Sequence, residues 1–388
     1  MTPSFLAIAI YDRGHLNIIF SIYLNLIYRS SNPASIKVQN MHVTYRAATQ
    51  NVFASRLKGH PLFSFWTHFP DRDMDADSLA EATIALQQTF DLDLVKTAPN
   101  GMYAIEDYGV EVDYSQVSQG GTARLVSTPY QSAADWDALP ELDCLQGALA
   151  RELRSMTQVR RALPDVPLVF TLFSPMTIAA KLSHGRIHGQ IAEKRNTQGI
   201  HAALQRISRT VARYAQSAIA AGADGVFFAH QDTGRHLLSY DDFSEYVAPY
   251  DIEALAGARD GRFNVLHIHG ENIRFRELQD YPVDAINWHD SETFPSALSG
   301  MLTSGKCILG GIDRRSVTAN DVPAIRQQIR SNHAAVGGRG DIIFAPSCTI
   351  RAGFKPQTLH AIRDEIRASH GTPSAHDAGQ PVALAAAL

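Results

Sequence analysis

Eight short runs of apolar, β-branched and aromatic residues recur between residues 61 and 347, and helix-like stretches separate most of them. Alternation of strand and helix predicts a parallel sheet, because each crossover between parallel strands needs a connection of helix length. Eight such units over roughly 250–350 residues are typical of a TIM barrel, with a doubly wound sheet as the alternative. The predicted strands are residues 61–69, 92–98, 166–174, 225–230, 263–269, 284–289, 307–312 and 341–347.

The predicted helices lie at residues 78–90, 145–162, 199–221 and 318–335. Asp77 or Ser78 is a suitable N-cap for the first of them. The connection between the second and third strands is long, and residues 102–114 within it alternate like a small hairpin. Because long connections often act as lids, we interpret this segment as an insertion over the barrel mouth.

The two ends of the chain differ in character from the predicted barrel, which we assign to residues 41–370. Residues 16–28 are apolar, but thirteen residues interrupted by two Asn are too few for a membrane span. We interpret residues 1–40 as an N-terminal extension from an over-extended gene model, with Met41 as the true start. A membrane-surface anchor and a poor targeting peptide are the alternatives. Residues 371–388 are rich in Gly, Pro and Ala and are predicted to be a flexible tail.

Composition restricts the classes of partner. The chain has 388 residues, 45% hydrophobic and 19% charged, which is an ordinary globular balance. A net charge of -4 gives no broad basic surface, so we expect no nucleic-acid partner. Three cysteines, an odd and sparse set, argue against a disulfide framework and for a reducing compartment, so we expect a cytoplasmic protein.

A pair of histidines one residue apart is the strongest candidate for a site. His267 and His269 lie at the end of the fifth predicted strand, where side chains two apart point the same way. Cys348 follows the eighth strand, and imidazole with thiolate is a ligand set that suits zinc. Three protein ligands would leave the open position that a catalytic zinc site needs. The alternative is two hydrogen-bonded core histidines and a small buried cysteine.

Further polar residues recur at the carboxyl ends of the predicted strands, where TIM barrels carry their chemistry. As catalytic candidates we take His68, Lys96, His230 and His289. As substrate-binding candidates we take Trp66, Ser174, Gln231, Trp288 and Asp313. For Lys96 an ion pair within the barrel and an anion-binding role are both open. Glu271 and Asn272, directly after the histidine pair, could support the metal ligands.

Several motifs fall in an order that resembles the uroporphyrinogen decarboxylase superfamily, over about residues 45–368. They are FWTHFP at 65–70, FDLDLVK at 90–96, YAIEDYG at 103–109, SPMT at 174–177, AGADG at 221–225, HIHG at 267–270 and GGID at 310–313. The resemblance implies a TIM barrel, as the strand count does.

The resemblance implies two candidate chemistries. Decarboxylases of this superfamily remove acetate carboxyls from a tetrapyrrole without a cofactor, and they carry an arginine-rich motif after strand one and an aspartate after strand two. Residues 67–73 (THFPDRD) lack that arginine pair, and residues 95–98 (VKTA) lack the aspartate. The decarboxylase tyrosine of strand three aligns roughly with Lys181, and the histidine after strand eight falls near Cys348.

The second branch contains zinc-dependent methyltransferases, which move a methyl group from a corrinoid protein to a thiol such as coenzyme M. Their metal motif is His-x-Cys on strand five with a Cys after strand eight. His267 and Cys348 match it, and His269 stands where the family has cysteine. The chain therefore resembles this branch more closely.

The resemblance implies, as a first hypothesis, that His267, His269 and Cys348 hold Zn²⁺ and present an acceptor thiol, as thiolate, to the methyl group of a corrinoid or similar donor. A corrinoid protein would then be a partner. The second hypothesis is a decarboxylase of uroporphyrinogen or a related substrate, without a cofactor. The third is a non-catalytic barrel that binds a tetrapyrrole or corrinoid.

Overall fold

A computed structural model describes residues 61–117, 123–336, 342–350 and 353–369. The predicted extension at residues 1–40, its apolar segment 16–28 and the predicted tail at 371–388 lie outside the described residues. Within the described ranges, no helix combines the length and the apolar character that crossing a bilayer would require.

Eight parallel strands form one closed sheet, and each lies inside one of the eight predicted runs. The sheet order is β1 (Leu62–Phe63), β10 (Ile342–Pro346), β9 (Cys307–Ile312), β8 (Ala285–Trp288), β7 (Val265–Ile268), β6 (Gly225–His230), β5 (Leu168–Phe173) and β2 (Val95–Lys96). All of its strand pairs are parallel. A bridge between Ser64 and Leu94 joins the outermost strands. Next to it, the backbone N–H of Asp93 donates to the carbonyl of Phe63, and the Phe63 N–H donates to the Asp93 carboxylate. These contacts close the TIM barrel that the sequence predicts.

The strands are β1 Leu62–Phe63, β2 Val95–Lys96, β3 Glu111–Asp113, β4 Arg124–Ser127, β5 Leu168–Phe173, β6 Gly225–His230, β7 Val265–Ile268, β8 Ala285–Trp288, β9 Cys307–Ile312 and β10 Ile342–Pro346. The helices are α1 Ala76–Phe90, α2 Gly147–Ala162, α3 Pro175–Leu182, α4 Arg186–Ala192, α5 Thr197–Ala220, α6 Tyr240–Tyr246, α7 Ala248–Ala256, α8 Phe275–Leu278, α9 Ala297–Ser304, α10 Arg314–Ala319, α11 Val322–Val336 and α12 Pro356–Ala368.

Two helix predictions are corrected in detail. The N-cap of α1 is Asp75 rather than Asp77 or Ser78, because Asp75 has extended backbone and its carboxylate accepts from the N–H of Ser78. The single helix predicted at 318–335 is two helices, α10 and α11. Asn320 adopts a left-handed conformation at φ 58° and ends the first of them.

The insertion between the second and third barrel strands is present, but residues 102–114 do not form a hairpin by themselves. A 3-10 helix at Glu106–Tyr108 occupies their middle, and Gly109 ends it with a φ of 77°. Only β3 lies inside the predicted segment, and its antiparallel partner is β4. The alternation misled because Tyr108 is buried in the core while Glu106 pairs with Arg151 of α2.

The barrel interior is apolar along most of its length and polar at one end. Every residue of β5 and β6 is buried, as expected for strands covered on both faces. Buried polar side chains appear at the carboxyl ends of several strands, among them Lys96, His230, His267 and Asn287. The candidate site therefore lies at the end of the barrel where TIM barrels carry chemistry.

Candidate metal centre

Four side chains converge at the carboxyl ends of three strands. His267 lies on β7, His269 directly after it, His289 directly after β8 and Cys348 two residues after β10. One ligand atom from each lies within 4.8 Å of the others. The Cys348 Sγ is 3.7 Å from His267 Nε2 and 3.5 Å from His269 Nδ1. We call these four residues the His–Cys cluster. The three ligands predicted from the sequence thus meet, and metal binding by them stays a prediction.

Strand geometry explains how the two histidines reach the same point. Alternation along β7 directs His267 and His269 to one side, while Leu266 and Ile268 pack in the core. In the β7–β8 register, His267 pairs with Asn287, which places the end of β8 beside the cluster.

Asn287 fixes the orientation of His267. Its amide Nδ2 donates to the carbonyls of Leu309 (2.6 Å) and Pro346 (3.2 Å), so its Oδ1 faces His267 Nδ1 at 2.5 Å. Because a carboxamide oxygen only accepts, the proton of His267 lies on Nδ1 and the lone pair of Nε2 faces Cys348. Support from Glu271 and Asn272 stays a prediction, and the contact that the structure shows for His267 comes from β8.

His289 is the member that we did not predict as a metal ligand. Its Nδ1 lies 3.7 Å from the carboxylate of Glu292, and its buried Nε2 has no hydrogen-bond partner among the described residues. Its ring meets that of His269 edge to face, with centroids 4.8 Å apart. Glu292 is in turn held by both ends of the Arg314 guanidinium. The sequence contains a signal for His289, because Asn287 and His289 lie two residues apart and side chains at this spacing share a face of the barrel.

Burial keeps the imidazoles of the cluster neutral. It lowers the pKa of His267 well below its ordinary value, with a further lowering from His269. It also lowers the pKa of His269 and of His289 to about 4, although His269 keeps surface accessible to water at the barrel mouth. Burial raises the pKa of the Cys348 thiol, and Arg314 partly opposes that change. At neutral pH the protein alone therefore presents three neutral imidazoles and a thiol.

Lys96 lies close to the cluster across one aromatic ring. Its Nζ is 4.7 Å from the centroid of Phe227, and the ring of His267 stacks on Phe227 with centroids 5.3 Å apart. The Trp66 ring is 5.8 Å from the same Nζ. Within the described part of the chain, Lys96 has no carboxylate at ion-pair distance, so the interpretation as an internal ion pair is wrong. Burial lowers the pKa of Lys96 to about 7.

His68 follows β1 at the same mouth and keeps surface accessible to water. Burial of its ring by the barrel wall, together with the charges of Lys96 and Lys181, lowers the pKa of His68 to about 4. His68 is therefore a neutral imidazole beside the space that the cluster borders.

His230 is enclosed instead. Its Nε2 lies 2.8 Å from the carboxylate of Asp251, and its Nδ1 lies 2.7 Å from the hydroxyl of Thr233. Tyr281 donates to the same carboxylate at 2.9 Å. With both ring nitrogens bonded and no exposed surface, His230 is positioned to hold the loop after β6.

Ser174 and Gln231 belong to a local network. Ser174 caps α3, and its Oγ lies 2.8 Å from the hydroxyl of Thr177. The Thr177 hydroxyl donates to the backbone carbonyl of Gln231 and accepts from the backbone N–H of Gln231. The contacts of Ser174 and Gln231 in the structure thus connect the loops after β5 and β6. Their predicted roles in substrate binding stay predictions.

Trp288 and Asp313 also have local partners. The Trp288 side chain is buried, and its Nε1 donates to the carbonyl of Pro295 at 2.7 Å. Asp313 caps α10 and forms an ion pair with Arg315 at 2.8 Å. Their substrate-binding roles stay predictions, and the described contacts are those of core packing and helix capping.

The sequence profile described as uroporphyrinogen decarboxylase (URO-D) matches residues 63–369. The chain belongs to this family. It is 30% identical to a uroporphyrinogen decarboxylase of Tolumonas auensis over 141 residues, which are 34% of this chain and 39% of that protein. It is 28% identical to a uroporphyrinogen decarboxylase of Chloroflexus aurantiacus over 176 residues, 43% and 47% of the two chains. The family member described here thus spans less than half the length of these curated relatives.

A solved structure resembles this family member over most of both chains. It is a methyltransferase from Methanosarcina mazei, with a TM-score of 0.70, 18% sequence identity and coverage of 83% of this chain and 98% of that one. At this identity the likeness establishes the shared fold and no more.

Proposed function

We propose that the chain is a zinc-dependent, methyltransferase-like enzyme that activates a thiol acceptor for methyl transfer from a corrinoid or similar donor. The observation that carries the proposal is the convergence of the His–Cys cluster at the catalytic end of the barrel. The Methanosarcina mazei protein with the same fold is a methyltransferase, which supports the reaction class.

The donor atoms of the cluster fit a zinc ion. Zinc bonds of about 2.0–2.1 Å to nitrogen and about 2.3 Å to sulfur place tetrahedral N and S ligands about 3.6 Å apart. The Cys348 Sγ lies 3.7 and 3.5 Å from the two nearest imidazole nitrogens, which agrees with that spacing. In the part of the chain that the structure describes, the buried Nε2 of His289 has no hydrogen-bond partner, and such an atom costs free energy unless a ligand satisfies it.

The proposed roles follow from these contacts. His267, His269 and Cys348 would hold the ion, and Asn287 keeps His267 in the tautomer that ligation needs. His289 would fill the fourth position until an acceptor thiol replaces it, since a zinc site closed by four protein ligands is structural. Bound zinc would lower the pKa of the acceptor thiol and act as a Lewis acid. Glu292 can accept from the Nδ1 of the displaced imidazole.

Metal analysis of the purified chain tests the proposal. We expect about one zinc per chain in the wild type and in Cys307→Ser, a control at a buried cysteine outside the cluster. We expect loss of the metal in His267→Ala and Cys348→Ser. His289→Ala should keep the metal with weaker affinity. In this variant no imidazole should compete with the acceptor thiol for the zinc. A small thiol with methylcobalamin as donor then provides the activity assay. Absence of zinc from every preparation, including zinc-supplemented ones, would refute the proposal.

Decarboxylation of uroporphyrinogen or a related substrate is the second candidate, and it is favoured by the similarity to uroporphyrinogen decarboxylases of two bacteria. The missing arginine pair and aspartate argue against it. Formation of coproporphyrinogen from uroporphyrinogen by metal-free protein would support this candidate. Tight binding of a tetrapyrrole without turnover would instead favour a non-catalytic barrel.

A further inference from the structure

One arginine fastens the insertion between β2 and β5 to the helix that follows it. Arg151 on α2 donates from both terminal nitrogens of its guanidinium to the carboxylate of Glu106, at 2.8 and 3.0 Å. Glu106 begins the 3-10 helix of the insertion, and the next residue, Asp107, accepts from the N–H of Ala148 at the start of α2. We call residues 100–114, which carry these contacts, the docking segment.

The same guanidinium serves a second carboxylate. Its Nε donates to Glu152 at 2.9 Å, and the side chain of Glu152 is 3% exposed. In the described ranges, Arg151 is the cation that lies at ion-pair distance from Glu152. Two carboxylates therefore share a single positive charge, and a buried carboxylate without a cation of its own is costly to ionise.

Asp73, in the connection after β1, brings a third carboxylate to this place. It is buried, and its Oδ1 has no hydrogen-bond partner among the described residues. The sulfur of the adjacent Met74 lies 3.4 Å from the side-chain nitrogen of Asn100, which also donates to Glu106 at 3.1 Å. Asp73 thus lies beside the docking segment, where the charges of Arg151 and Glu106 act on it. We call Asp73, Glu106, Arg151 and Glu152 the Arg151 cluster.

The excess of acids makes one of them hold a proton near neutral pH. Three ionised carboxylates against one guanidinium would give the Arg151 cluster a net charge of -2. Burial raises the pKa of Glu152 from 4.5 to about 7 and that of Asp73 from 3.8 to about 6, and Arg151 partly opposes both changes. Although burial opposes it, the hydrogen bonds from Arg151 lower the pKa of Glu106. Glu106 therefore stays ionised while Glu152 titrates.

The neighbouring elements supply no second cation to the cluster within the described residues. Arg72 and Arg154, on the same elements, pair instead with the exposed acids Glu81 and Asp77. Burial raises the pKa of each tyrosine that lies near the cluster, so these stay neutral. The other ionisable groups that face the cluster are Asp71 after β1, Asp107, Tyr103 and Tyr114 in the docking segment, and Tyr214 on α5.

The docking segment also reaches the barrel wall. The hydroxyl of Tyr103 donates to the carbonyl of Thr171 at 2.8 Å, and its ring lies against Phe173 at the end of β5, with centroids 5.6 Å apart. Tyr103 and Tyr108 line one small internal cavity together with Leu149 of α2. Undocking would therefore separate the segment from both α2 and the carboxyl end of the barrel, and would return the cluster to water.

We propose that the Arg151 cluster is a pH-sensitive fastening, which holds the docking segment on α2 when Glu152 is protonated and loosens it when Glu152 is ionised. With a proton on Glu152, the guanidinium serves Glu106 alone. Without that proton, two carboxylates compete for the guanidinium, and the buried excess of negative charge favours the open segment. The docked segment binds more protons than the open one, so docking weakens as the pH rises from 4.5 to about 7. The fastening requires neither a metal nor the proposed methyl transfer.

Hydrogen exchange of the full chain, followed by mass spectrometry of peptides from the docking segment, tests the fastening. A short unstructured peptide of the same sequence provides the intrinsic exchange rate at each pH. The open fraction should rise about tenfold between about pH 6 and about pH 8, given a pKa for Glu152 of 4.5 in the open segment and about 7 in the docked one. Glu152→Gln should leave a rise of about twofold, which Asp73 causes, and Asp73→Asn/Glu152→Gln should remove it.

Two further variants make the test specific. Glu81→Gln changes an exposed acid that pairs with Arg72, and it should behave as the wild type. Glu106→Gln, at a partly exposed position, leaves the guanidinium to Glu152, so the rise should again fall to about twofold. Circular dichroism verifies folding of each variant. An open fraction that does not change with pH in the wild type, or a tenfold rise that persists in Glu152→Gln or Glu106→Gln, would overturn the fastening.

Discussion

Replacing Lys96 by methionine should stabilise the fold, and by more at neutral than at alkaline pH. Burial lowers the pKa of Lys96 from 10.5 to about 7, so the folded chain binds fewer protons than the unfolded chain between these two pH values. The penalty for burying the amine is therefore fully present below pH 7 and disappears as the pH rises toward 10.5. Methionine does not titrate, and its stem keeps the contacts with Phe227 and Trp66.

The size of the effect follows from the two pKa values. At about 1.4 kcal/mol per pH unit, the difference between 10.5 and about 7 corresponds to a penalty of roughly 4 kcal/mol at pH 7 and roughly 2 kcal/mol at pH 9. The advantage of Lys96→Met over the wild type should therefore shrink by about 2 kcal/mol between pH 7 and pH 9. Other groups titrate in both proteins and cancel in this difference.

Urea unfolding of both proteins at the two pH values measures the change, with Lys194→Met as the control. Lys194 is 57% exposed and paired, so its replacement should leave the pH dependence of stability nearly unchanged. A variant that is less stable than the wild type at pH 7, or an advantage independent of pH, would refute the assignment of a buried, unpaired charge.

Four further substitutions test other parts of the structure. Asn287→Leu removes the hydrogen-bond acceptor that orients His267, so the affinity for zinc should fall about 10–100-fold. Competition with a chelating indicator measures this affinity, and an unchanged value would contradict the orienting role. Gly225→Ala would place a Cβ 2.0 Å from the backbone oxygen of Phe263 and should destabilise the protein by about 3 kcal/mol. Gly189→Ala places its Cβ in open space on a helix and should stabilise the protein by about 0.5–1 kcal/mol. Thermal unfolding measures both changes. Asp251→Ala removes the buried partner of His230 and should lower the free energy of unfolding by about 3–5 kcal/mol, with the zinc content unchanged. Loss of zinc from this variant would show instead that the His230–Asp251 pair supports the metal centre.

Local pattern predicted the barrel well because the strands of this fold are buried on both faces. Each of the eight apolar runs contains a barrel strand, and α5 repeats its buried residues at helical spacing from Ile200 to Ala218. The pattern failed in the insertion, where residues 102–114 bury Tyr108 from a 3-10 helix. Apolar residues at intervals of two or three occur in both structures, so the period alone could not separate them.

The candidate site was predictable only where alternation along one strand determines it. That rule brought His267 and His269 together, and applied to β8 it also yields Asn287 and His289. The distance from Cys348 to the pair depends on the register of β8, β9 and β10, which no local pattern encodes.

His230 and Lys96 show why position at a strand end is a weak guide to role. Both are buried polar residues at the carboxyl ends of barrel strands, and the sequence predicts both as catalytic candidates. Asp251, on α7, reaches back to His230 and satisfies it, whereas no acid reaches Lys96 within the described residues. The difference arises from α7, which follows β6 and packs Asp251 back against the end of that strand, so it depends on tertiary packing. A buried polar side chain becomes a functional candidate when its partners are found missing, and only the folded chain reveals that.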